Sequence, residues 1–342
     1  MKDFSEVIAA ARGRIGDKCK ACPVCNGAAC RNSIPGPGAK GIGDSAMRNY
    51  SAWQAVRLNM DTICASGDPD MSLELFGKKF ALPVFAGPVG AVNLHYSDLY
   101  TDATYNDVLV KACADSGIAA FTGDGVDIKV MQAALAAISK AGGTGVPTVK
   151  PWDMETVASK MKLVSEAAPF AVAMDIDAAG LPFLKGLNPP AGSKTVEELK
   201  EICAMAGRPF ILKGIMTVKG ALKAAEAGAA GIVVSNHGGR VLDSCPATAE
   251  VLPEIAEALR GSGLKILVDG GIRTGVDVFK ALAMGADAVI VARPFVTAVY
   301  GGAEEGVSLL VKKFAAELDD TMRMCGAASL ADIDSSMVRL PK

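Results

Sequence analysis

The residues best suited to chemistry lie in the run VVSNHGGRVLD, residues 233–243. His237 is one of only 2 histidines in the chain, and Arg240 follows it three positions on. An imidazole takes up a proton near neutral pH, and a guanidinium holds a carboxylate through two parallel hydrogen bonds. A packed core histidine is the plainer reading. The flanks argue against it, because an apolar run precedes the ring and two glycines follow, which places it at a strand end facing outward. A second group, ILVDGGIRTG followed by VIVARPF, puts Arg273 and Arg293 beside glycine-rich turns at Gly270 and Gly271. One such turn is usually only a turn; two, each with an arginine, make a phosphate site. Lys213 stands inside the apolar run FILKGI, so its ammonium must point into an open mouth or meet a partner. There it can hold negative charge on a cofactor ring or form a Schiff base, a buried structural ion pair being the alternative.

Near the N-terminus, CKACPVCNGAAC spaces Cys19, Cys22, Cys25 and Cys30 with gaps of two, two and four. Thiols this dense resemble metal ligands. The spacing approaches a bacterial ferredoxin run, but its last gap is longer and Arg31 stands where proline is usual, so one cluster would need Cys64 or another distant thiol. A structural zinc ion on all four thiolates fits equally, and unligated or redox-switch thiols are the third possibility. An iron–sulfur cluster here could pass electrons on to a partner.

Elements must position these groups. From about residue 80, short apolar runs alternate with amphipathic stretches rich in Ala, Lys and Glu. The strands are expected at Leu82–Ala86, Ile118–Thr122, Pro147–Lys150, Phe170–Asp175, Phe210–Gly214, Gly231–Ser235, Ile266–Asp269 and Ala288–Ala292. Helices are expected at Asp107–Asp115, Ile128–Lys140, Met154–Val164, Val196–Met205 and Val276–Met284. Nearly continuous apolar strands are buried on both faces, and about eight βα units close into a (β/α)8 TIM barrel of the α/β class. An open doubly wound sheet is the alternative. The stretch from Leu212 repeats in the stretch from Asp269, with Gly214/Gly271, Thr217/Thr274 and Gly228/Gly285 in register, as expected of βαβ units. Residues 1–75 lack the rhythm and read as an N-terminal extension, with the barrel at 76–342. Residues 178–194 form a long connection, either a lid over the mouth or a passive surface loop.

Composition narrows the function. With 35 Lys plus Arg against 37 Asp plus Glu, the net charge of −2 offers no field to draw in nucleic acid or an anionic membrane. Only 5% of residues are aromatic, which argues against base stacking. No apolar run reads as a signal peptide or membrane span, so a cytoplasmic protein with reduced thiols is expected.

ILKGI, SNHGGRVLD, DGGIRTGVDVFKALAMGADAV and ARPF together resemble the FMN-dependent α-hydroxy-acid oxidase/dehydrogenase family, which includes glycolate and lactate oxidases. The resemblance is dense from Lys213 onward and looser, but collinear, from about Asn49. It implies oxidation of a 2-hydroxy carboxylate to the 2-oxo acid, by hydride transfer to flavin N5 with His237 as base. Arg240 would bind the substrate carboxylate, Lys213 would stabilise the anionic reduced flavin, and Asp175 would pair with His237. Ser235, Asp269, Gly271, Arg273, Ala292 and Arg293 would hold the ribityl chain and phosphate, while Gly87, Pro88 and Thr122 would approach the ring. Family members are often tetramers, and the electron acceptor, dioxygen or a partner, stays open.

The departures fall around the substrate. The family's tyrosine before the barrel is replaced by IPGPGAKGIGDSAMRN, Trp152 stands near the other tyrosine, and Lys150 replaces a glutamine beside the flavin. Asp124 lies near a usual tryptophan, Ala173 replaces a threonine, and Lys185 is the only cation near the missing second arginine. The flavin and base machinery is kept while the substrate pocket is rewritten. His95 is expected to cap or pack. Two rivals are an FMN-dependent isomerase of the isopentenyl-diphosphate type and a redox module centred on the cysteines; the His237/Arg240 pair argues against the first.

Overall fold

Runs of Val, Ile, Ala and Phe without polar alternation have two faces to bury. In the computed structural model, which describes residues 1–65, 67–184, 186–188 and 190–341, they form a closed parallel barrel. Its strands are β1 (Val84–Ala86), β2 (Ala120–Thr122), β3 (Gly145–Val149), β4 (Val172–Asp175), β5 (Phe210–Ile215), β6 (Gly231–Val234), β7 (Lys265–Val268) and β8 (Ala288–Val291). Closure is made where Val289, Ile290 and Val291 of β8 pair with Val84, Phe85 and Ala86 of β1. Every expected strand forms within a few residues of its expected ends, and the open-sheet alternative is set aside.

The helices between strands are α1 (Asp102–Asp115), α2 (Ile128–Lys140), α3 (Met154–Ala167), α4 (Val196–Ala206), α5 (Val218–Glu226), α6 (Thr248–Ala258) and α7 (Gly275–Ala283), and α8 (Arg293–Cys325) follows β8. Side-chain caps set their starts. Thr101, Thr195 and Thr274 open capping boxes, and Asp127 and Asp153 accept from the first turns of α2 and α3. Inside the barrel Phe85, Phe121, Ile211, Val233, Leu267 and Ile290 meet the small residues Ala119, Ala171, Ala173 and Ala288. A hairpin, Leu73–Leu75 with Lys78–Phe80, plugs one end, the Phe80 and Phe85 rings standing edge to face at 4.9 Å. It runs across the boundary expected at residue 75. The other end, where the strands finish, stays open.

The N-terminal segment covers that open end. Helix Phe4–Ala11 lies on α8, and helix Asp44–Ala55 lies beside the ends of β6 and β7. Trp53 Nε1 donates to the Gly270 carbonyl at 2.8 Å, and Asn49 and Asn236 exchange amide hydrogen bonds at 2.7 and 3.0 Å. Between the two helices the chain crosses the mouth. Lys40 Nζ donates to the carbonyls of Gly180 and Val241, and the Gly36 N–H donates to His95 Nδ1 at 3.1 Å. After β4 the connection runs through 3₁₀ turns at Ile176–Gly180 and Pro182–Leu184, and Leu181 and Leu184 turn into the mouth. Lys185 lies outside the described residues. No helix among the described residues is long and apolar enough to cross a membrane.

Two predictions concern this framework. Gly275 opens α7 where α8 crosses it, and a Cβ there would stand 2.3 Å from the Leu318 nitrogen and 2.5 Å from the Phe314 carbonyl oxygen. Alanine ordinarily favours a helix over glycine by about 1 kcal/mol. Here backbone lies in the way, so Gly275→Ala should instead destabilise by about 1–3 kcal/mol in urea unfolding. His95 is held neutral: burial, then the nearby cations of Arg240 and Lys150, push its pKa from 6.5 down to about 3. Between those values the unfolded chain carries a proton that the folded chain lacks, so His95 contributes stability that falls as pH drops through 6.5. The stability difference between the parent protein and His95→Gln should therefore shrink from about pH 7 to about pH 5. A difference that stays constant across that range contradicts the assignment.

Candidate functional site

The end of β6 turns sharply. His237 takes φ +54°, and Gly238 and Gly239 follow at +62° and +75°. A left-handed backbone is unfavourable for a residue with a Cβ, by about 1–2 kcal/mol, and persists only where the surroundings enforce it. The turn carries the imidazole over the barrel mouth. There His237 Nδ1 lies 3.0 Å from Asp177 Oδ1, and the His237 N–H donates to Ser235 Oγ at 3.1 Å. Burial opposes ionisation of Asp177, but His237, Lys213 and Lys150 outweigh it and hold its pKa below the usual carboxylate value. An ionised Asp177 accepts, so the Nδ1 facing it carries the hydrogen.

The expected partner of His237, Asp175, is elsewhere. Asp175 Oδ2 lies 3.4 Å from Lys150 Nζ on the neighbouring strand end. It closes β4, whereas Asp177 sits in the 3₁₀ turn that swings the chain toward β6. The two carboxylates stand two positions apart in the chain, and the turn after β4 brings Asp177, not Asp175, to His237. Lys213 Nζ lies 3.7 Å from Asp269 Oδ2. Its burial favours the neutral amine, and the carboxylates of Asp177, Asp269 and Asp175 reverse this and raise its pKa. Lys213 thus stays charged in the barrel mouth.

His237, Asp175, Lys150, Lys213 and Asp269 border one cavity of about 570 Å³ at the strand ends, with Asp177 behind its wall. Its wall includes Pro88, Lys150, Asp175, Lys213, His237 and Arg240, and, toward the last two strands, Asp269, Gly270, Gly271, Arg273, Ala292 and Arg293. Three expected residues are not in that wall. Gly87 packs against Ala292, Ser235 is fully buried beneath His237, and Thr122 is buried with its hydroxyl unpartnered. Trp152 does not reach the substrate region either. It is fully buried and donates through Nε1 to Asp124 Oδ2 at 2.7 Å, while Lys160 Nζ pairs with Asp124 Oδ1 at 2.5 Å. Asp124, beyond β2, thus joins Trp152 beyond β3 to Lys160 of α3 in a buried cluster at the edge of the cavity.

Sequence reasoning passed over Asp177 and Tyr96, and set His95 aside as packing. Both His95 and Tyr96 face the cavity. Gly36 and Pro37 complete that side, with Arg240 Nη1 donating to the carbonyls of Gly36 and Gly38. A guanidinium has five N–H donors, so others remain for a ligand.

Arg273 and Arg293 stand together toward the last two strands. The glycines there, which line the cavity, also serve a second purpose. A Cβ on Gly271 would lie 2.3 Å from the Asn49 carbonyl oxygen, so its bareness admits helix Asp44–Ala55 to the turn after β7. The cysteines also behave otherwise. Among the described residues, no three Cys, His, Asp or Glu side chains form a group that could hold a metal ion. Instead Arg273 Nε donates to the Cys25 carbonyl at 2.7 Å and its Nη2 meets Cys25 Sγ at 3.8 Å, while Arg293 Nη1 meets Cys30 Sγ at 3.9 Å. Two of the four sulfurs are turned to guanidiniums, and Cys19 packs against the hydrophobic core. The zinc and iron–sulfur expectations therefore have no site in this structure.

The cavity suits a phosphorylated flavin. Two guanidiniums mark one end, Lys213 and Lys150 line the wall, and Asp175 Oδ1 and Asp269 Oδ1 are buried acceptors with no hydrogen-bond donor among the described residues. Buried carboxylate oxygens left in that state are costly, and ribityl hydroxyls or a ring imide N–H would satisfy them.

Comparison with known proteins agrees with this architecture. The family model described as FMN-dependent dehydrogenase matches residues 37–182 and 182–340. A peroxisomal (S)-2-hydroxyacid oxidase, GLO3, of Arabidopsis thaliana is 44% identical over 146 residues, which is 43% of this chain and 39% of the relative. An L-lactate oxidase of a Nostoc strain is 42% identical over 158 residues, 46% of this chain and 42% of its own. The matched stretch thus spans about two fifths of these curated relatives. Likeness in structure is wider: a mandelate oxidase variant crystallised with 2-hydroxy-phenylacetamide superposes with a TM-score of 0.80 at 27% identity, covering 100% of this chain and 99% of that one. Since the family model takes in nearly all of the chain beyond its first 36 residues, barrel and site together, the chain belongs to the FMN-dependent dehydrogenase family.

Proposed function

We propose that this protein oxidises a 2-hydroxy carboxylate to the corresponding 2-oxo acid. The observation that carries the reading is the His237–Asp177 pair at 3.0 Å, set in a cavity that Arg240 and Lys213 also line. Arg273 and Arg293 would hold the FMN phosphate, with Asp269 and the turn at Gly270 and Gly271 beside the ribityl chain. Lys213 and Lys150 would face the ring, approached by Pro88 from β1 and Ala292 from β8. When bound, FMN supplies the acceptor for the two electrons and the hydrogen that leave the substrate carbon. The protein does the rest. Arg240 fixes the carboxylate, which orients the hydroxyl toward His237. His237 Nε2 takes the hydroxyl proton, and Asp177 stabilises the imidazolium as it forms. Lys213 offers fixed positive charge where negative charge gathers.

The relatives named above are a 2-hydroxyacid oxidase and a lactate oxidase. An isomerase of phosphorylated substrates has no use for a base and a carboxylate clamp placed side by side, and no observation favours it. The substrate itself would meet His95, Tyr96, Gly36 and Pro37 where the family offers its tyrosines, so the accepted side chain is expected to differ from that of a simple lactate or glycolate enzyme.

Three measurements test this. The purified protein should show the two-banded absorption of an oxidised flavin, and a 2-hydroxy acid added without oxygen should bleach it; a flavin-loaded protein that no 2-hydroxy acid bleaches contradicts the reading. Replacing the base partner, Asp177→Asn, should slow bleaching by about 10²-fold or more, whereas a merely structural Asp177 would leave the rate and its pH profile unmoved. Lys150→Gln removes a cation from the ring edge and should lower the flavin reduction potential, by about 30 mV if the charge is worth ~1.4 kcal/mol to the two-electron couple. An unchanged potential would show that Asp175 already cancels the Lys150 charge.

A further inference from the structure

The first 36 residues lie outside the stretch that the family model matches, yet part of them is built into the anion end of the cavity. Cys25 meets Arg273 through both its carbonyl oxygen and its sulfur, and Cys30 meets Arg293 through its sulfur. Both guanidiniums border the cavity. These are the two cations assigned above to the flavin phosphate, and the inference rests on that assignment. We propose that Cys25, with Cys30 beside it, is a thiol modification site coupled to the phosphate site, so that covalent capping of Cys25 and binding of the phosphate oppose one another.

The coupling is electrostatic and steric. A bound phosphate draws on the positive field of Arg273 and Arg293, which disfavours the Cys25 thiolate and slows its attack, whereas the uncharged cap opposes phosphate by its bulk against Arg273. A cap on Cys25 Sγ also has to displace Arg273, whose Nη2 lies 3.8 Å away and whose Nε is tied to the same residue. Among the cysteines of this segment Cys25 is singled out. Burial raises its thiol pKa, but Arg273 and Arg293 outweigh burial and bring it below the ordinary value, whereas burial pushes Cys19 up to about 11 and also raises Cys22. The thiolate is the nucleophilic form. Cys25 is half-buried with its sulfur against Arg273, so a small reagent reaches that sulfur when the guanidinium moves aside. With a low-molecular-weight disulfide as co-reactant, the Cys25 sulfur attacks one sulfur of the reagent. A new S–S bond forms to Cys25, the reagent's S–S bond breaks, and its other half leaves as a thiolate carrying the bonding pair. A free thiol reverses the step. Exchange of this kind would set how firmly the protein holds its phosphate-bearing ligand.

The test uses the full chain, reduced and stripped of flavin, with iodoacetamide as the probe and mass spectrometry of the cysteine-containing peptides as the readout. Four arms run in parallel: no addition, inorganic phosphate, FMN, and riboflavin, which lacks the phosphate. Cys25 should label faster than Cys19 and Cys22, and saturating phosphate or FMN should slow it by about fivefold or more while riboflavin leaves the rate unchanged. The labelled protein should bind FMN about tenfold more weakly and riboflavin as before. In Cys25→Ser, FMN affinity should no longer respond to iodoacetamide. Equal labelling with and without phosphate overturns the proposal. So does a purified protein whose four thiols resist labelling because they hold stoichiometric zinc or iron. If FMN fails to bind at all, the flavin reading falls, while the phosphate arm still decides the coupling.

Discussion

A lysine buried in a strand of an otherwise apolar barrel is the constraint on which this site depends. Lys213 is 3% exposed, and an ammonium taken that far from water must be neutral or surrounded by carboxylates. The fold supplies three carboxylates from two strand ends: Asp175 closing β4, Asp177 just beyond it, and Asp269 after β7. The same Asp177 that supports Lys213 orients His237, so the base and the cation are held by one carboxylate. A change in any member alters the others, and the site behaves as one charged cluster.

Around that cluster the chain has exchanged one kind of wall for another. Where relatives of this kind are expected to offer tyrosines, the barrel mouth is bounded by backbone of the Gly/Pro-rich segment, by His95, and by Tyr96. Arg240 ties the segment down through the carbonyls of Gly36 and Gly38, and His95 accepts the Gly36 N–H. A wall of backbone carbonyls and N–H groups reads shape and hydrogen-bond direction more than charge. Arg240, the proposed carboxylate clamp, also fixes this wall, which would link substrate selection to placement of the N-terminal segment.

Much of this could be read from the residues in order. The eight apolar runs became the eight barrel strands because a strand buried on both faces leaves a plain trace, whereas α1, capped by Thr101, begins at Asp102, ahead of its expected start at Asp107. His237, Arg240, Lys213, Arg273 and Arg293 were legible because each breaks a local rule, a charge or an imidazole standing at the end of an apolar run. Asp177 was not, since it sits in a polar turn where a carboxylate is unremarked. Trp152 misled for the opposite reason: its place in the chain matched a functional aromatic, but its indole N–H found Asp124 and turned inward. The cysteine run suggested a metal, because spacing along the chain says how near sulfurs can come and nothing about which way they face.

The amino-acid sequence alone therefore determined the barrel, the order of its strands and the reactive groups at their ends, since burial pattern and strand-end position are local properties of the chain. Tertiary structure alone decided which carboxylate meets which cation, that the glycines after β7 admit a helix, and that two cysteines face the arginines. Those pairings join residues as far apart as Cys25 and Arg273, and only the closed barrel, with its N-terminal cover in place, brings such groups within bonding distance.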